Sequence, residues 1–190
     1  MSTSIDKIFN QLTSNSPKAV KDAFKCLSRQ TDIPDNLIIE AANIIGGLDQ
    51  LSDEIVKFIV RHPNMQLYNV YCSLFQSENI PWKILAVQSS GFWSRSLSVS
   101  VAKTLIEKLV GLLQLENENS WIVFLAAINL NRSFGSDETN WYFAAKAVIQ
   151  ADKLEWWQSI RTQAEEILSR EELIEINKRL VELNAGVLLY

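Results

Sequence analysis

Residues 120–134 read SWIVFLAAINLNRSF, and positions 121–130 hold a single polar side chain, Asn129. A helix that is apolar on nearly every side belongs inside a larger protein or inside a membrane. Ten residues are about half of what a bilayer span requires. The stretch is therefore read as a buried helix, capped by Asn119 or Ser120 and closed by Gly135. Trp121, Phe124, Leu125 and Ile128 are its expected core residues.

Helical spacing of apolar residues recurs on both sides of this stretch, and no convincing run of strict alternation interrupts it. Start and stop signals divide the chain into about ten or eleven helices. Ile5, Ile8, Phe9 and Leu12 mark the first. Ser16-Pro17 opens the second, since serine caps free amides and proline suits the first turn, where a missing N–H costs nothing. Val20, Phe24 and Leu27 line its face. The third runs from Pro34 to Gly46-Gly47. Ser52 caps the fourth, which Pro63 ends, and a fifth covers roughly 65–76. Pro81 opens a sixth that is expected to reach about Ser90 and stop at Gly91. A long seventh covers about 96–115, and the opening stretch is the eighth. A ninth runs from about 137 to 150 and a tenth from about 153 to 168. The capping box at 169–172, Ser-Arg-Glu-Glu, opens a last helix over 170–184.

The joints are mostly two to six residues, which makes sequential helices pack antiparallel. The stretch also has an echo. Trp82 of NIPWKILAVQSSGFWSRS (79–96) precedes Trp121 by 39 residues, Leu85 matches Phe124 and Ala86 matches Leu125. A weaker third copy starts at Trp157. Two helices per 36–40 residues is the size of a HEAT or armadillo unit. On Pro81–Ala86 with Val87, and on Trp121–Ala126 with Ala127, Leu130 and Gly135, the chain resembles the HEAT-like α-solenoid family. The resemblance implies an all-α fold of stacked antiparallel hairpins over about 16–184, in which an inner helix touches several neighbours. A closed helical bundle is the alternative architecture. The family's usual Asp and Arg positions are not evident.

The bulk properties agree with a folded protein. Of 190 residues, 47% are hydrophobic and 21% charged, enough to build a large core without staples. No Pro/Gly/Ser-rich or charge-rich linker interrupts the chain, so a single domain over 1–190 is expected. Residues 1–95 carry nine Lys/Arg and nine Asp/Glu, whereas 96–190 carry nine and thirteen. The whole negative excess thus falls in the second half, which repels phosphates and suits a basic partner. The start, MSTSIDKIFNQL, has neither the basic stretch nor the apolar run of a secretory leader. Cys26 and Cys72 lie far apart in helical patterns and read as free buried thiols of a reducing compartment. A soluble cytoplasmic protein is the expectation.

Chemistry-bearing residues are few. The one histidine, His62, sits at the end of the fourth helix and is expected to meet terminal carbonyls. One histidine and two distant cysteines make no N/S metal site. Gly46-Gly47 is a helix stop and not a phosphate loop, and no Gly-x-Ser-x-Gly elbow surrounds Ser89, Ser90 or Ser94. Carboxylates such as Glu165-Glu166 and Glu171-Glu172 diverge by about 100° on a helix and suit solvent. No catalytic, cofactor-binding or metal-ligating residue is therefore assigned.

The aromatic residues carry more information. Trp141-Tyr142-Phe143 fans around a helix, so one ring faces away from the local core, and Trp156-Trp157 diverges in the same way. Rings of this kind wedge between helices or anchor protein interfaces. Glu116, Glu118, Asp137, Glu138, Asp152 and Glu155 fall at the joints beside them. Acidic residues next to Trp141, Tyr142 and Trp156 suit a basic protein, with no role for nucleic acid, membrane or metal. The chain is similar in type to bacterial immunity proteins, which are acidic, single-domain and catalytically empty. That likeness implies an inhibitor of a cognate basic toxin, such as a nuclease. A general adaptor, and a HEAT-like enzyme such as a DNA glycosylase or a bilin lyase, are the competing expectations. The glycosylase would need a basic groove that the composition does not provide.

Overall fold

The computed structural model describes residues 5–30, 32–115, 117–135, 137–151, 154–167, 169–171, 173, 174, 177, 178 and 181. Among them it is all-helical, with ten α-helices and two 3-10 turns. The chain divides into two compact units, Met1–Val99 and Ser100–Tyr190. The charge imbalance follows this division: the first unit is neutral overall, and the second carries nine Lys/Arg against thirteen Asp/Glu.

The first unit holds α1 (Ile5–Leu12), α2 (Pro17–Leu27), α3 (Asp35–Gly46), α4 (Asp53–Arg61), α5 (Tyr68–Ser73) and α6 (Ile80–Ser96). Its caps act as their sequences dictate. Ser16 accepts from the Ala19 amide with Pro17 in the first turn, and Ser52 accepts from the Ile55 amide. The helix expected over 65–76 is broken into a 3-10 turn (Met65–Leu67), the short α5 and a second 3-10 turn (Leu74–Gln76). α6 differs most from expectation, because it runs 17 residues and passes straight through Gly91, which is buried within it. Mid-helix glycine costs about 1 kcal/mol relative to alanine. Burial of Trp93 two residues later outweighs that, so the helix continues.

Trp93 is the largest fully buried side chain among the described residues. Its ring lies parallel to that of buried Tyr71 with centroids 3.9 Å apart, and its Nε1 donates to the Val60 carbonyl at 3.3 Å. The Tyr71 hydroxyl donates to the Ala86 carbonyl at 2.7 Å, and burial raises its pKa far above the ordinary tyrosine value. Cys26 and Cys72 are not joined in a disulfide, and both are half-buried where the sequence predicts buried thiols.

His62 is buried at the end of α4 and packs against Phe58, with ring centroids 4.9 Å apart. Its backbone N–H caps the Phe58 and Ile59 carbonyls of its own helix. Its ring instead hydrogen-bonds the Leu27 carbonyl at the end of α2, while Arg61 donates to the carbonyl of Ser28. The end of α4 thus bonds the carbonyls of Leu27 and Ser28 at the end of α2, the first of which also accepts from the Gln30 amide. Burial holds the His62 pKa below its usual 6.5, with the Leu27 bond opposing and Arg61 reinforcing that shift. A base whose folded pKa lies below its unfolded one stabilises the fold fully above the unfolded value. That contribution is lost as pH falls from about 6.5 toward the folded pKa. Unfolding free energy is expected to fall as pH drops below about 6.5, with a slope of up to about 1.4 kcal/mol per unit, the limit for one proton. Denaturant titrations of the chain and of His62→Gln check this, since the variant should lose the slope.

The second unit holds α7 (Val99–Leu113), α8 (Ser120–Ser133), α9 (Glu138–Ala151) and α10 (Leu154–Ile167). α9 packs on both α8 and α10. Asn119 accepts from the Trp121 amide to start α8, and Gly135, at φ 124°, turns the chain beyond its end. Eight of the 14 residues of α8 are buried, which explains its apolar circumference. Phe124 and Ile128 are core as expected, but Trp121 and Leu125 are only half-buried. The last expected helix, 170–184, lies largely outside the described residues, as does Glu172 of its capping box; 170, 171, 173, 174, 177, 178 and 181 are helical. Among the described residues no helix is long and apolar enough to cross a membrane.

Candidate functional site

The second unit carries two adjoining clefts that share Leu113, Gln114 and Phe143 as a common wall. The first, about 290 Å³, adds Leu115, Glu118, Val123, Lys146, Ala147 and Gln150. The second, about 340 Å³, adds Ile106, Val110, Leu130, Phe134, Gly135, Asp137, Thr139 and Asn140. The walls combine apolar residues of α7, α8 and α9, such as Val110, Val123, Leu130 and Ala147, with the polar side chains of Gln114, Thr139, Asn140 and Gln150. Each cleft contains one carboxylate, Glu118 or Asp137. In the first it is accompanied by Lys146, whereas Asp137 is the one charged residue of the second among the described residues.

Local hydrogen bonds position these acids. Glu118 Oε1 accepts from the Asn119 amide at 2.9 Å, at the start of α8. Asp137 Oδ1 accepts from the Thr139 amide at 2.8 Å and so caps the start of α9. The Asp137 amide in turn donates to Asn131 Oδ1 at 2.9 Å, and Asn140 Nδ2 donates to the same oxygen at 3.2 Å. Asn131 is buried near the end of α8, and its own Nδ2 is buried with no partner among the described residues. Polar groups in such positions are normally paired. One amide oxygen thus ties the end of α8 to the start of α9 across the Gly135 turn.

The residues expected to contact a partner fall into three groups. Glu118 and Asp137 each line one of the two adjoining clefts. Tyr142 is 41% exposed and stands beside Phe143, with ring centroids 5.9 Å apart. Trp141, by contrast, is buried core: with Ala144, Ala145 and Val148 it forms a stripe at helical spacing, so its ring is covered within the unit. Trp156 is half-buried and lies against Trp121 (4.5 Å) and Phe124 (5.2 Å), forming an aromatic triad between α8 and α10. Trp157 behind it is buried. Glu138 opens α9 and Glu155 lies in the first turn of α10, with side chains outside the described set, and Glu116 and Asp152 are also outside it.

Sequence reasoning missed Phe143, Gln114 and Asn131. For Asn131 the signal was present, because it lies four residues after Ala127 and three before Phe134, on a side of α8 that is otherwise apolar. Among the described residues no group of three or more His, Cys, Asp or Glu side chains is placed to hold a metal ion. No family model, curated protein or solved structure matches the chain.

Proposed function

We propose that the chain is a non-enzymatic protein-binding module whose second unit grips a basic partner. In its sharpest form it is an inhibitor that neutralises a basic toxin, such as a nuclease, by direct binding. In this reading the helices are HEAT-like hairpins that present one binding face, and neither nucleic acid nor membrane takes part. One observation supports it most: the second unit, which holds the entire negative excess, places Glu118 and Asp137 on adjoining apolar clefts that share Phe143. Carboxylates beside apolar cavities combine electrostatic steering with sites for buried anchors, the two properties that set association rate and residence time.

The test is capture of the native partner by the full chain, followed by stopped-flow association. A single stoichiometric basic protein is expected, with association at least about 10-fold slower at high than at low salt. The double variant Glu118→Lys/Asp137→Lys should slow association by a similar factor at low salt and leave helix content unchanged. Several weakly held partners would indicate an adaptor instead. Rates indifferent to both salt and charge reversal would refute the proposal.

A further inference from the structure

We infer that the cleft containing Asp137 is a pocket for a single arginine side chain of the partner. The inference rests on the protein-binding reading above and assigns the chemistry of its contact. Three features select the occupant. Part of the wall is apolar, formed by residues such as Val110, Leu130 and Phe134, and suits an aliphatic stem. Phe143 adds an aromatic ring to the lining, and a guanidinium packs on aromatic rings better than an ammonium does.

The third feature is polarity. Asn140 turns its Nδ2 toward Asn131, so its Oδ1, on the other side of the amide, is the atom left for the cleft it lines. The Asp137 carboxylate adds further acceptors, and among the described residues no cationic one lines this cleft. Carboxylate and amide oxygens beside an aromatic ring match the planar fork of donors that arginine carries. Asn131 is then a positioning residue. It touches no partner atom, but its oxygen fixes both the backbone of Asp137 and the orientation of Asn140. The neighbouring cleft, where Lys146 accompanies Glu118, is the poorer place for a cation.

The experiment uses the full chain, isotope-labelled, titrated by NMR with the blocked heptapeptide Gly-Ser-Gly-Arg-Gly-Ser-Gly. Its counterparts carry lysine, leucine or neutral, isosteric citrulline in place of arginine, and polylysine is titrated separately as a probe of general acidity. The arginine peptide should shift the amides of Asn131, Thr139, Asn140 and Phe143. Lysine should bind several-fold more weakly, and citrulline and leucine at least about tenfold more weakly. Asp137→Asn, which retains the helix cap, should weaken arginine at least tenfold and leave polylysine binding nearly unchanged. Equal binding of arginine and citrulline, or of arginine and leucine, overturns the inference. If polylysine binds but the arginine peptide leaves these amides unmoved, the pocket is refuted and the acidic-surface reading stands. If neither binds, both fall.

Discussion

Replacing Trp93 with alanine is expected to remove about 3–5 kcal/mol from the stability of the first unit. The estimate starts from the side chain: Trp93 has no exposed surface, and its ring stacks on Tyr71 at 3.9 Å. Truncation removes that contact and leaves a cavity lined by groups held from two other elements. It also strips the Val60 carbonyl of its indole donor. Val60 lies in the last turn of α4, where carbonyls have no partner within the helix, so a bond from α6 is its satisfaction. A total stability of about 5–15 kcal/mol is typical of a domain, so the loss is a large fraction of it. Thermal unfolding should begin at least about 12 °C lower. Trp93→Phe, which keeps an aromatic ring but no N–H, separates the two contributions and should fall between. Denaturant unfolding of the three proteins decides the matter. A loss below about 1 kcal/mol for the alanine variant would mean that the core does not depend on this stack.

What the sequence reveals about this fold depends on the range of the interaction concerned. Ser16, Ser52, Asn119 and Gly135 act on backbone groups within a few residues of themselves, so their roles are legible in the local string. All four lie where their chemistry requires. Gly91 misleads because its intrinsic preference is weak, and packing of Trp93 from elsewhere in the unit overrides it. The break-up of 65–76 into short pieces has the same origin, since nothing in its apolar pattern distinguishes a straight helix from a jointed one. For the site, acidic joints beside aromatic rings are readable, and Glu118 and Asp137 do lie on clefts. Which ring is exposed is not readable from adjacency alone. Trp141 is drawn inward by a stripe at helical spacing, and Trp121 is half-buried with its ring against Phe124 and Trp156. The clefts themselves arise where three helices meet, and no local pattern encodes a void.

Asn131→Ala is expected to destabilise the second unit by about 1–3 kcal/mol and to weaken the arginine contact in the same protein. The stability term has two parts of opposite sign. Two hydrogen bonds accepted by Oδ1 are lost, one from the Asp137 amide and one from Asn140 Nδ2. Each contributes about 1 kcal/mol, and the part-buried donors left behind add to the penalty. Against this, the variant also deletes a buried Nδ2 that has no partner, which returns some of the cost. The affinity term has a different origin. Without Asn131, the amide of Asn140 is free to rotate and present a donor where a cation needs an acceptor. The turn through Gly135 also loses its tie to Asp137. Asn131→Leu is the informative comparison, because it fills the volume while removing every polar atom. If Asn131 only fills space, Leu should restore both stability and arginine binding. If its oxygen positions Asp137 and Asn140, Leu should recover stability in part and leave arginine-peptide affinity as low as in the alanine variant. Melting curves and the peptide titration, run on both variants, distinguish packing from positioning. Full recovery of affinity by leucine would refute the positioning role.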